Sequence, residues 1–214
     1  MPLEFIRNIT STGRLGMWRI EETVDELVEK TLLSEKEKNQ IASLKTERIK
    51  TQKLATRALL GEMLGKEFVL EYDKNGKPHL AGNAFKISIS HSNELVAVML
   101  DEEHETGVDI QKITPKVDNI KHKFLSNKEL ENSSKSNLFE QLHVYWGAKE
   151  ALYKVYGRKE LIFKVEIRIE DFEYKNQGEI TGHIEKKDYK NSWKLGYENL
   201  NDYMLVYVLH PIDY

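Results

Sequence analysis

The chain has 214 residues, 40% of them hydrophobic and 31% charged, enough for one sizeable core or two small lobes sharing an interface. It contains no cysteine, which excludes a disulfide framework, a thiolate nucleophile and a cysteine metal site. A net charge of -3 argues against a broad nucleic-acid-binding surface, and no run approaches the ~20 apolar residues that span a bilayer, so the cytoplasm is the expected location.

Residues 1–20 carry enough apolar side chains, among them Ile6, Leu15, Met17, Trp18 and Ile20, for a strand or two. Glu21 to Leu33 reads as a short helix, and Ser34-x-x-Glu37 is a capping box that starts another. From Glu47 an apolar stripe of Ile49, Leu54, Ala58, Leu59, Met63 and Leu64 predicts a helix ending at Gly65. Lys45, Arg48, Lys50, Lys53 and Arg57 decorate it, either as a solvated face or as a surface that meets phosphate.

Phe68 to Tyr72 reads as a strand, and Asp73 to Pro78 as a turn in which Asn75 and Gly76 supply positive φ. After a loop at Ala81-Gly82-Asn83, Phe85 to Ser92 alternates with period two and the apolar run Leu95 to Leu100 follows, which predicts a hairpin. Thr106 to Gln111 is a further strand with Val108 and Ile110 directed to the core and Asp109 and Gln111 to the opposite face. An aspartate at such a place is either an exposed or capping residue or a ligand for a hard cation.

Residues 112–137 are polar and helix-prone, and Asn132 to Asn137 reads as a mobile loop. A helix from about Leu138 to Tyr156 stops at Gly157, and it carries Trp146, Lys149, Glu150, Tyr153 and Lys154 within one arc of roughly 140°. Taken alone, Glu150 and Lys154 form an i,i+4 pair worth a few tenths of a kcal/mol. Leu161 to Ile169, Glu179 to Ile184, Ser192 to Tyr197 and Tyr203 to Leu209 read as strands of an antiparallel sheet. Helix-plus-sheet material thus occurs twice, and the expectation is an α+β architecture of two lobes, residues 1–104 and 105–214.

Five stretches in order, Arg57-Ala-Leu-Leu-Gly61, Gly76-Lys-Pro78, Ile87-Ser-Ile-Ser-His-Ser92, Gly107-Val-Asp-Ile110 and Trp146-x-x-Lys-Glu-x-x-x-Lys154, resemble the 4′-phosphopantetheinyl transferases of the larger, Sfp-like type. The resemblance implies a pseudo-dimer of two similar lobes, each a small antiparallel sheet packed with helices. Coenzyme A and Mg2+ would lie in the cleft between them, with Mn2+ as a possible substitute. It implies transfer of phosphopantetheine from coenzyme A to a serine of an apo acyl or peptidyl carrier protein, with release of adenosine 3′,5′-bisphosphate. Arg57, Lys77, Ser90, His91, Lys149 and Lys154 would then contact the coenzyme, and Asp109 and Glu150 the metal. Glu150 is expected to be the base and Lys154 to assist departure of the bisphosphate. Many such relatives carry a third acid where this chain has Gln111, which would act weakly or through water, and Glu129 is a further candidate ligand. Lys112 to Lys128 either helps dock the carrier or is a solvated face. A two-lobed chain needs no partner subunit to complete its cleft, so a monomer is expected, with neither nucleic acid nor membrane as a partner. A degenerate relative that binds without transferring, and a magnesium-dependent phosphatase, are the competing readings.

Overall fold

Two strands open the chain, β1 (Leu3–Asn8) and β2 (Gly13–Arg19), paired antiparallel, in a computed structural model that describes residues 2–65, 67–82, 85–133 and 136–212. Helices α1 (Val24–Lys30) and α2 (Glu35–Ala42) each start at a complete capping box, Thr23 with Glu26 and Ser34 with Glu37. The long α3 (Glu47–Leu64) is capped by Thr46 and stops at Gly65, whose φ of 62° suits a residue without a Cβ. The hairpin of β3 (Leu70–Tyr72) and β4 (Pro78–Leu80) turns at Gly76, which has positive φ, whereas Asn75 does not. Asn75 is held instead by a hydrogen bond from its N–H to Asp73 Oδ1, at 2.7 Å. Asn83 of the expected loop and Ser134 and Lys135 of the expected mobile segment lie outside the described residues.

The second hairpin pairs β5 (Lys86–Ser92) with β6 (Leu95–Asp101) and completes a four-stranded sheet of order β1-β2-β6-β5. Its alternation sorts β6 cleanly. Val96, Val98 and Leu100 join Leu54, Leu59 and Met63 of α3, while Leu95, Ala97 and Met99 form a separate core with Leu15 and Met17 on the opposite face.

Strand β7 (Val108–Lys112) enters the second half and is followed by a 3-10 turn (Pro115–Ile120), α4 (Lys121–Phe124), α5 (Asn127–Glu131) and α6 (Leu138–Tyr156). The stretch expected as a strand from Leu161 is instead a short helix, α7 (Phe163–Glu166), and only β8 (Ile167–Ile169) is extended. Its apolar alternation is overridden by local bonds. The Ile162 N–H donates to Glu166 Oε2, and the buried ammonium of Lys149 binds the carbonyls of Phe163 and Ile167. Strands β9 (Gln177–Lys186), β10 (Tyr189–Leu200) and β11 (Tyr203–Pro211) complete a five-stranded sheet of order β7-β11-β10-β9-β8.

The two sheets meet face to face. Val108 and Ile110 of β7 and Tyr203 and Leu205 of β11 pack on Leu15, Met17, Ala97 and Met99, and on the other side of β11 Met204, Val206 and Val208 pack with Leu142, Ala148 and Leu152 of α6. The result is helix, sheet, sheet, helix, the α+β arrangement that the sequence predicts. Serine hydroxyls join the sheet edges. Ser88, Ser90 and Ser92 of β5 accept from the N–H groups of Val108, Ile110 and Lys112 at 3.0, 3.2 and 3.1 Å. Trp146 and Tyr153 lie against the core of the second half. They pack on Phe124 and Phe163 within the second half, with Phe124 edge-on to Trp146 at 5.0 Å.

Gly107 sets the approach of β7 to α6, because a Cβ there would stand 2.1 Å from the Ala151 carbonyl oxygen. Both sides of that clash are backbone, so Gly107→Ala should lower unfolding free energy by at least about 2 kcal/mol, read by urea denaturation.

Candidate active site

Asp109 owes its direction to strand alternation. With Val108 and Ile110 committed to the core between the sheets, its side chain must turn to α6. Room for it exists because position 147 is glycine. A Cβ on Gly147 would lie 2.7 Å from Val206 and 3.9 Å from Asp109 Oδ2. Asp109 is buried, and its Oδ1 accepts from the Ser90 hydroxyl at 2.9 Å and from Lys154 Nζ at 2.8 Å. Lys154 spends a second N–H on the Val108 carbonyl at 2.7 Å, and the third is uncommitted. The other carboxylate oxygen, Asp109 Oδ2, is buried with no hydrogen-bond partner. Such an orphaned acceptor costs about 1–3 kcal/mol.

One turn before Lys154 on α6, Glu150 is partly buried, and its carboxyl is pushed up to about 7. Burial is the main cause and the charge of Asp109 adds to it, while Lys154 pulls the other way. Two carboxylates within electrostatic reach, one of them with a bare buried oxygen, make a donor set that fits a hard divalent cation. Gln111 follows Asp109 on the same face of β7 and brings no charge. Among the described residues no three of His, Cys, Asp and Glu gather into a metal cluster. A cation here would rest on Asp109 and Glu150 together with water or substrate oxygens.

His91 stands on the neighbouring strand β5 with its pKa lowered, first by desolvation and then by the cations Lys154 and Arg48, with Asp109 opposing them. Arg48 is therefore the arginine of α3 that the fold brings to this site. A bond from Gln52 Nε2 to the Asn93 carbonyl, at 2.9 Å, holds that end of the helix against the β5–β6 hairpin, and Arg48 is one turn earlier. The sequence marks this helix as basic, and no local signal in it separates Arg48 from Arg57. Arg57, expected to contact the coenzyme, is nine residues further, roughly 13 Å along the axis. Its guanidinium pairs with Glu37 at 2.5 Å, donates to the Leu32 carbonyl at 3.2 Å and covers the ring of Phe68; its Nε is buried without a partner. Lys77 lies at the C-terminal end of α6, paired with Glu105 and 3.4 Å from the Val155 carbonyl. Ser90 is buried, with its hydroxyl donating to Asp109 and accepting from Ile110.

Lys149 and Glu129, expected at the coenzyme and the metal, are enclosed in the core. Lys149 has no solvent exposure, and its Nζ donates to the carbonyls of Phe124, Phe163 and Ile167 and to Glu129 Oε2, at 2.7 to 3.1 Å. Desolvation lowers its pKa, and Glu129 opposes that. Glu129 is equally enclosed. Its Oε1 accepts from Ile169 N and its Oε2 from Ser126 N and Lys149. The pair fixes the backbone around the site. The sequence shows that both charges exist, but not that they neutralise each other in the core.

Two measurements follow from this geometry. Lys149→Met should cost about 3–5 kcal/mol of stability by stranding Glu129, and Lys149→Met with Glu129→Leu should recover part of it, since apolar replacement removes the buried charge. Glu150 keeps its proton when folded at a pH where the unfolded chain releases it, so folding is linked to proton uptake between about 4.5 and about 7. In metal-free buffer the stability of the native sequence relative to Glu150→Gln should therefore fall by roughly 1–2 kcal/mol as pH rises through that window and level off above it, read by urea titrations.

The comparisons with known proteins bear on the second half of the chain. Residues 105–208, which include Asp109, Glu150 and Lys154, match the model of the 4′-phosphopantetheinyl transferase superfamily. A putative 4′-phosphopantetheinyl transferase of Synechocystis sp. is 32% identical over 122 residues, 50% of this chain and 48% of the relative. The 4′-phosphopantetheinyl transferase AcpT of Salmonella typhi is 30% identical over 107 residues, 47% of this chain and 56% of the relative. The chain thus spans about half the length of the curated relatives it matches. Residues 105–208, just under half of the chain, are thus similar to the 4′-phosphopantetheinyl transferase superfamily.

Proposed function

We propose that this chain is a 4′-phosphopantetheinyl transferase of the holo-[acyl-carrier-protein] synthase type, acting in the Sfp-like manner with two lobes, 1–104 and 105–214. It moves the phosphopantetheine arm of coenzyme A to a serine of an apo acyl or peptidyl carrier protein and releases adenosine 3′,5′-bisphosphate. The observation that carries the reading is the orphaned Oδ2 of Asp109 beside a Glu150 carboxyl raised to about 7.

The serine oxygen of the carrier attacks the phosphorus that bears the pantetheine arm, a new O–P bond forms, and the bond from that phosphorus to the bridging oxygen breaks. Glu150 takes the serine proton directly or through one water. Lys154, anchored on Asp109 and Val108, offers its third N–H to the negative charge that grows on the bridging oxygen. Arg48 gives the site a positive edge on the side of α3, beside a His91 ring that burial holds toward its neutral form, and both suit the phosphates of the nucleotide. Mg2+ held by Asp109 and Glu150 would neutralise pyrophosphate charge as a Lewis acid. Gln111 leaves those two acids as its protein ligands.

Among the described residues no helix is long and apolar enough to cross a membrane. The expected setting is a cytoplasmic monomer. Incubation with coenzyme A, Mg2+ and an apo carrier protein should add one phosphopantetheine arm to the carrier by mass. Glu150→Gln should cut the rate by about 100-fold or more, while the thermal transition of the folded protein persists. An unmodified carrier would exclude the reading, and release of inorganic phosphate in its place would favour a phosphatase.

A further inference from the structure

The face made by α4 and α7 is not used by the chemistry, yet it adjoins it. Ile162 and Val165 are 60% and 72% exposed, and a hydrogen bond from Val165 N to the Ile162 carbonyl, at 2.9 Å, holds them one turn apart on the same side. Single apolar side chains on a surface are ordinary. These two are a pair, and cations ring them. Arg158, Lys159 and Lys164 are exposed on the α7 side, and His122 and Lys123 on α4, which packs against α7. The neighbouring acids are largely spent, with Asp118 paired to Lys121 and Glu166 bound to Ile162 N. Glu160 is the exposed exception.

The patch also has a fixed relation to Glu150. Between Ile162 and Val165, Phe163 turns inward onto Trp146 and Tyr153, at 6.0 and 5.4 Å between ring centroids, and those rings share their side of α6 with Glu150. Phe124 of α4 closes on Trp146 from the other side. Lys149 binds the carbonyls of both Phe124 and Phe163, so one buried ammonium locks α4 and α7 together beside the reacting carboxyl. Helices of four residues do not persist unaided, and here the clamp supplies their order.

We infer that the α4–α7 face is where the carrier domain docks, with Ile162 and Val165 receiving an apolar ridge of the partner and Lys123, Lys164 and Arg158 meeting its acidic residues. The charge selects an acidic partner, and the position delivers that partner's serine to Glu150. This moves the main apolar contact out of the Lys112 to Lys128 segment and onto α7. The inference rests on the transfer reading above, since it concerns the partner of that same site.

The test is steady-state transfer from coenzyme A to a recombinant apo acyl carrier protein, repeated with an apo peptidyl carrier domain. Ile162→Ser with Val165→Ser should raise KM for the carrier at least tenfold, with kcat within twofold and KM for coenzyme A unchanged. Lys123→Glu with Lys164→Glu should do the same and flatten the salt dependence of KM. Val69→Ser, at an exposed apolar position just before β3, should change nothing. If the native chain transfers while both double variants keep its carrier KM, the docking inference is overturned and the transferase reading stands. If the native chain transfers to neither carrier, the transferase reading fails and the inference falls with it.

Discussion

An ammonium group removed from water must find its partners inside the protein, and much of the second half of this chain is arranged around that demand. Lys149 spreads its three donors over four oxygens drawn from α4, α5, α7 and β8. Each of those segments is short and would be marginal alone. The shared cation gives them a single arrangement. Because the next residue on α6 is Glu150, the element that orders the surroundings and the element that performs the proposed proton transfer are one rigid helix.

A similar economy governs β7. One strand of five residues supplies Val108 and Ile110 to the core between the sheets and Asp109 to the site, and period two alone separates those tasks. Lys154 then ties α6 to the strand by binding both the Val108 carbonyl and Asp109. Gly107 and Gly147 bring the helix close enough for this, since side chains at either position would meet Ala151 or Val206. The raised pKa of Glu150 is a product of that closeness, as burial and the charge of Asp109 both favour its neutral form.

Much of this was legible in the sequence, because the signals were local. The capping box at Ser34, the terminal glycines Gly65 and Gly157 and the alternation in β5 to β7 each state their structure within a few residues. The failures lie where a distant group decides. The segment from Leu161 alternates as a strand should, but a cation on another element captures two of its carbonyls and coils it. The charges of Lys149 and Glu129 are visible in the sequence and their mutual burial is not. Arg57 and Arg48 are both plausible phosphate partners by composition. Only the packing of α3 on the second hairpin tells which one looks toward His91.

The three hydroxyls between β5 and β7 behave as a rack with a pitch of two residues on both strands. Such a rack cannot slide by a small amount. A slip of one residue would turn Ser88, Ser90 and Ser92 away and set Ile87 and Ile89 against amide groups that need acceptors, and a slip of two would carry Ser90 past Asp109. The middle tooth of the rack is also a bond to the candidate site, through Ser90 to Asp109 Oδ1. The alignment of the two sheets and the aim of the carboxylate are therefore one quantity with discrete values, and the cleft has a single setting in which both are satisfied.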